Sequence, residues 1–179
     1  MFRRSTRWLA PLAATAAVLL TAPAANAVVS RPPQLQNFYF ELDAEAVPQQ
    51  GCDFDVSVTG TGGKITQIIL PDGRIFTAGK GVLLTYTNID PTDPGYGNTY
   101  TVKTAGSVAK YQELSPGGEV TATFTGHNGF VYFGNDDEGA GITQYTGKLV
   151  LTLESFATFR VDSIDATAGQ AVDVCAALS

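Results

Sequence analysis

The cleanest alternation in the second half of the chain begins at Val120, where Val120, Ala122 and Phe124 interleave with Thr121, Thr123 and Thr125. A period of two puts one set of side chains on each face of an extended strand, so this stretch predicts a strand with one buried and one wet face. Gly126-His127-Asn128-Gly129 follows, and its Asn-Gly step is the chemistry of a tight hairpin turn. Phe130-Val131-Tyr132-Phe133 is apolar or aromatic at every position, as expected of a strand covered on both faces. After a glycine-rich acidic loop, 134–141, strand chemistry resumes at Thr146–Leu153 with Leu149, Leu151 and Leu153 on one face. Three antiparallel strands are expected here, forming the heart of the domain.

The same reading extends along the chain. A first strand is expected over 37–47, with Phe38, Phe40 and Leu42 inward and Glu41, Asp43 and Glu45 outward. Cys52, Phe54, Val56 and Val58 alternate with Asp53, Asp55, Ser57 and Thr59 in the next. Pro71-Asp72-Gly73 is turn chemistry and joins 65–70 to 74–78 as a hairpin. Further strands are expected at 82–88, 99–104, 110–114, 156–164 and 171–175. About nine to ten strands, with turn signals every eight to twelve residues, predict an all-β antiparallel β-sandwich, Ig-like or jelly-roll-like; a closed β-barrel is the alternative. No helix of useful length is expected.

The first 27 residues do not belong to this pattern. Arg3, Arg4 and Arg7 precede an apolar run from Leu9 to Leu20, and Ala25-Asn26-Ala27 is a small-x-small cleavage site. Those are the three parts of a secretory signal peptide, which makes 1–27 a cleaved segment, 28–36 an extended leader and 37–179 a single β domain. No membrane insertion is expected after cleavage, and the protein is expected to be secreted.

Cleavage changes the composition. The chain loses its only Trp, its only Met and three of its eleven basic residues, leaving eight Lys plus Arg against seventeen Asp plus Glu, a net charge near −9. That makes a poor electrostatic partner for nucleic acid or anionic membrane, since phosphate binding is dominated by Lys and Arg, and no nucleic-acid partner is expected. In an oxidising compartment the two cysteines, Cys52 and Cys175, have only each other, so a disulfide is expected.

Candidate chemistry is thin. His127 is the only histidine, and its place in a Gly-His-Asn-Gly stretch reads as an exposed turn and not as a catalytic triad member. Asp136, Asp137 and Glu138 gather hard oxygen ligands in a flexible loop, but consecutive acids do not converge on one cation. Asp90, Asp93 and Asn98 are read as turn formers. Glu41, Asp43 and Glu45 on one strand face have a spacing compatible with paired glycosidase carboxylates, yet charged residues on a wet strand face also guard against edge pairing. No catalytic residue and no cofactor is assigned. Seven tyrosines remain, and Phe130 and Tyr132 share one face of their strand, which makes them the candidate binding residues.

Thr87-Asn88-Ile89-Asp90, Thr125-Gly126-His127-Asn128 and Asp173-Val174-Cys175-Ala176-Ala177-Leu178 resemble short motifs of a family of small exported actinobacterial proteins of unassigned function. The resemblance implies export, a β-rich fold and the disulfide at the chain's end; it carries over no catalytic residue. The expected function is that of a non-catalytic exported protein binding an envelope or extracellular partner, whether protein, glycan or small ligand. A secreted hydrolase using acidic residues and a lipocalin-like binder of a small ligand are the alternatives.

Overall fold

The computed structural model describes residues 28–30, 37–70, 72 and 74–179; the expected signal segment and most of the expected leader lie outside them. The elements run β1 (Val28–Ser30), β2 (Phe38–Leu42), β3 (Val56–Thr61), β4 (Lys64–Ile69), β5 (Ile75–Lys80), β6 (Leu83–Asn88), β7 (Thr99–Lys103), β8 (Val108–Glu113), β9 (Val120–Tyr132), β10 (Gly141–Leu153), β11 (Val161–Asp173) and α1 (Val174–Leu178). All strand pairs are antiparallel. They form a seven-stranded sheet, ordered β1-β4-β5-β8-β9-β10-β11, and a four-stranded sheet, ordered β2-β3-β6-β7. The expected all-β sandwich is therefore the fold. It is not the alternative barrel, because β1 and β11 stand at opposite ends of an open sheet.

The three longest strands depart from the sequence expectation in an instructive way. Gly126-His127-Asn128-Gly129 is not a turn: β9 runs through it, and β10 pairs with β9 in unbroken register from Tyr132↔Gly141 to Val120↔Leu153. The glycines serve a different purpose. Gly126, Gly147 and Gly169 have φ of 88°, 115° and 123°, a region that side chains disfavour. Gly147 lies opposite Gly126 on one side and Gly169 on the other. One rung thus carries a glycine on each of three neighbouring strands, and β9 creases there sharply enough to bring Phe124 and Phe130, on either side of it, to a ring separation of 4.7 Å. A Cβ on Gly147 would sit 2.2 Å from the Ala168 carbonyl oxygen, and one on Gly169 2.0 Å from that of Thr146.

Three smaller differences follow local chemistry. The first strand stops at Leu42 because Asp43 turns the chain, its Oδ1 accepting from the Glu45 N–H at 2.8 Å and its carbonyl from the Ala46 N–H at 3.3 Å. The separate strands expected at 156–164 and 171–175 are replaced by one, β11, which starts after a turn at 155–159. The last residues are helical: Asp173 caps α1, its Oδ1 accepting from the Ala176 N–H at 3.0 Å.

Two apolar clusters hold the domain. The first lies between the sheets and joins Leu42, Phe54, Val56, Val58 and Tyr86 to Ile142 of β10 and to Val174 and Leu178 of α1. The Cys52–Cys175 disulfide forms as expected, spanning 123 residues and fastening α1 to the segment before β3. Buried Asn88 adds a polar tie, its Nδ2 donating to Asp93 Oδ1 at 2.7 Å and reaching the Leu178 carbonyl at 3.4 Å. The second cluster, Ala109, Val120, Ala122, Phe124, Tyr132, Tyr145, Leu149, Leu151, Leu153 and Val161, is drawn from the larger sheet alone. A sheet that buries its own face must curl around it, and the glycine crease permits the bend.

Candidate functional site

β9 has a partner on one side for its whole length but not on the other. β8 pairs with it only from Val120 to Thr125. At its far end Phe133 bridges Gln50, with the Gly51 N–H donating to the Tyr132 carbonyl at 3.1 Å and the Gly134 N–H to that of Gln49 at 2.9 Å. Between these covered ends a cleft of about 450 Å³ runs beside residues 127–131. Its volume lies within the range of about 300–1,000 Å³ usual for ligand pockets.

The floor of the cleft is aromatic. Phe124 and Phe130 meet edge to face with centroids 4.7 Å apart, and Tyr111 packs on Phe124 at 5.7 Å in the same manner. Leu153 and Val161 complete the apolar wall. Phe133 and Phe159 stand at the rim, both exposed. Phe159 is unusual: it is 54% exposed and has a φ of 53°, which a bulky residue seldom adopts. The turn that holds it is fixed by three hydrogen bonds to Ser155. Ser155 accepts at its carbonyl from the Phe159 N–H at 3.0 Å and at Oγ from the Ala157 and Thr158 N–H groups at 3.2 and 3.3 Å.

The polar end comprises Thr104, Ser107, His127 and Asn128. The Ser107 hydroxyl donates to Asn128 Oδ1 at 2.5 Å, and Asn128 Nδ2 donates to the Thr125 carbonyl at 3.1 Å. His127 is half-buried in β9, its Nδ1 3.2 Å from the Thr146 hydroxyl; it is not the exposed turn residue expected. Thr104 is satisfied within the chain, exchanging bonds with Val82 at 2.9 and 3.0 Å. Beneath the cleft, Gly129 leaves room for the Tyr86 hydroxyl, which a Cβ would approach to 2.5 Å. Burial in this dry layer, followed by the nearby Tyr100, pushes the Tyr86 pKa up to about 12.

Of the candidate binding residues, Phe130 lines this cleft and Tyr132 does not. Tyr132 is 3% exposed and its hydroxyl lies 3.0 Å from that of Tyr145. Its pKa is raised above the ordinary tyrosine range, first by burial and next by that hydrogen bond. It reaches only a smaller hollow of about 200 Å³, shared with Glu138, Ile164 and Asp173.

The acidic loop is divided by the fold. Asp136 is buried and lines the cleft, with Oδ2 accepting from the Phe133 N–H at 2.7 Å and Oδ1 from the Val161 N–H at 2.8 Å. Its carboxylate joins the β9–β10 turn to the start of β11. Asp137 and Glu138 are exposed, so the three do not converge, and among the described residues no group of three His, Cys, Asp or Glu side chains gathers as metal ligands would. Glu41 is exposed on β2 and bonded by the Tyr39 hydroxyl, whereas Asp43 belongs to the following turn. Asp90 is a turn former, its pKa lowered by the Thr92 N–H and hydroxyl that bond it. Asp93 and Asn98 are tied to Asn88 and to the chain's last carbonyls.

Sequence reasoning missed the rest of the cleft. Tyr111, Phe124, Leu153, Phe159 and Val161 come from four separate segments, and only the pairing of β8 to β11 assembles them. No family model, curated protein or solved structure matches the chain. Among the described residues no helix is long and apolar enough to cross a membrane.

Proposed function

We propose that this is an exported, non-catalytic binding protein, and that the cleft beside β9 is where it holds an extracellular or envelope partner. The observation that carries the reading is an aromatic hollow with few polar groups, of the size and composition of a ligand pocket. The disulfide fits an oxidising compartment, and the arginine-led apolar segment at 1–27 supports export. The resemblance of its short motifs to those of small exported actinobacterial proteins points the same way.

The hydrolase alternative finds less support. Among the described residues Asp136 is the one carboxylate lining the cleft, and both of its oxygens already accept main-chain N–H bonds. Paired carboxylate chemistry needs a second acid across the substrate. A lipocalin-like enclosure is not favoured either, because the strands form two open sheets.

The test is binding of an apolar fluorescent probe, 1-anilinonaphthalene-8-sulfonate, to the folded protein and to Phe130→Ala. Saturable binding that weakens at least tenfold in the variant, with the thermal transition retained, supports the cleft. Absent or non-saturable binding overturns it. Co-sedimentation with the envelope fraction of the source cells then separates an envelope partner from a soluble one.

A further inference from the structure

We infer that the occupant of the cleft is an extended peptide segment that adds as a strand to the open edge of β9. The inference rests on the reading of the cleft as a binding site and deepens it.

In an antiparallel strand, successive residues turn their N–H and C=O groups to opposite sides. The Tyr132 carbonyl and the Gly134 N–H are bonded to Gly51 and Gln49, on the side away from β10. Register with β10 is unbroken through Phe130 and Asn128, so their main-chain groups turn the same way, toward the cleft. Among the described residues no main-chain group of a turn or loop bonds them on that side. Strand main chain left open inside a partly apolar recess is costly unless something bonds it.

The open stretch, residues 127–131, spans about 16 Å at a rise of about 3.3 Å per residue, enough for three to five residues of extended chain. An incoming strand supplies both the donors and the acceptors that Asn128 and Phe130 lack, which a hydrocarbon or a steroid-like ring does not. Strand addition takes affinity from main-chain bonds and specificity from pockets for alternate side chains. The hollow between Phe124, Phe130 and Leu153 is such a pocket, suited to one aromatic or branched apolar residue. Among the described residues no Lys or Arg lines the cleft while Asp136 does, so a basic neighbour in the peptide is favoured over an acidic one.

The test is amide hydrogen exchange by NMR on the ¹⁵N-labelled protein, alone and with a pool of acetylated, amidated hexapeptides carrying Phe at position three and Lys at position five. In the free protein the Phe130 and Asn128 amides should exchange at least tenfold faster than those of Val131 and Gly129, which turn to β10. With the pool they should slow at least tenfold. N-methylation of the tightest peptide at successive residues should weaken it tenfold or more at every second position only. Phe130 and Asn128 amides already protected in the free protein would overturn the proposal, as would uniform tolerance of N-methylation. Binding of the fluorescent probe without binding of the peptide pool would overturn it too and leave the cleft reading standing; failure of both would sink both.

Discussion

The two apolar clusters of this domain are built from the same kinds of residue and differ in how they are closed. The cluster between the sheets is closed by three ties: a disulfide crosses its edge, α1 covers its end, and Asn88 ties the last turn of the helix to β6. The cluster inside the curled sheet has no second sheet over it, and aromatic rings carry much of its volume. Where β8 ends short of β9 it opens into the cleft. The difference teaches that the sandwich supplies stability in one place and leaves an exposed, adaptable surface in another.

That division is best broken at the staple. Cys52→Ser together with Cys175→Ser is expected to lower unfolding stability by about 4–5 kcal/mol on the chain-entropy argument, measured by denaturant titration. Probe binding in the cleft should be unchanged for the fraction still folded; loss of both together would show the two regions to be one cooperative unit. Next in size is Leu151→Ala, at a fully buried position of the curled cluster, expected to cost about 3–4 kcal/mol. A cost below about 1 kcal/mol would mean that this cluster is loosely packed throughout, and not only at its opening.

Tyr86 offers a test of the sealed side by pH. Its hydroxyl loses its proton near 10 in the unfolded chain and near 12 when folded, so the folded state holds the proton more tightly. Stability is therefore full below pH 10 and is lost as pH rises toward 12, by up to about 3 kcal/mol at roughly 1.4 kcal/mol per pH unit. Tyr86→Phe should flatten the slope between pH 10 and 12 in denaturant titrations; an unchanged slope would move the effect to Tyr132. The smallest change is expected at Phe159→Gly. Relief of the positive φ offsets lost packing, so stability should stay within about 1 kcal/mol while cleft binding weakens severalfold. A large destabilisation would make Phe159 a core residue and not a rim one.

Much of the fold was legible because burial and period agree. Val56 and Val58, Ala122 and Phe124, and Leu149 to Leu153 all fall on the faces their alternation predicts. The disulfide was legible from two cysteines alone. Two of the failures share a physical root, that glycine, asparagine and aspartate serve several conformations. Gly126 to Gly129 read as a turn because Asn-Gly is turn chemistry, yet apolar parity continues unchanged from Phe124 to Phe130 and Tyr132, as a continuous strand requires. Asp173 followed by Val-Cys-Ala-Ala-Leu carried a helix-start signal that strand reading passed over. The second half of β11 gave no pattern because it is an edge with both faces exposed. Of the site, Phe130 was found and the cleft was not, since its walls lie far apart in the chain and its opening depends on where β8 stops.

The crease of Gly126, Gly147 and Gly169 sets a rule for how this protein can change length over evolutionary time. Residues added to the bend between β9 and β10, or to the one between β10 and β11, leave the three glycines abreast and the folded shape intact. One residue inserted within a strand, between a glycine and the bend that joins it to the next glycine's strand, slides the two off their shared rung, so that a chiral residue faces a kink it cannot follow. Descendants of this chain should therefore vary freely in their bends and hardly at all in the count of residues that separates each bend from the fold line.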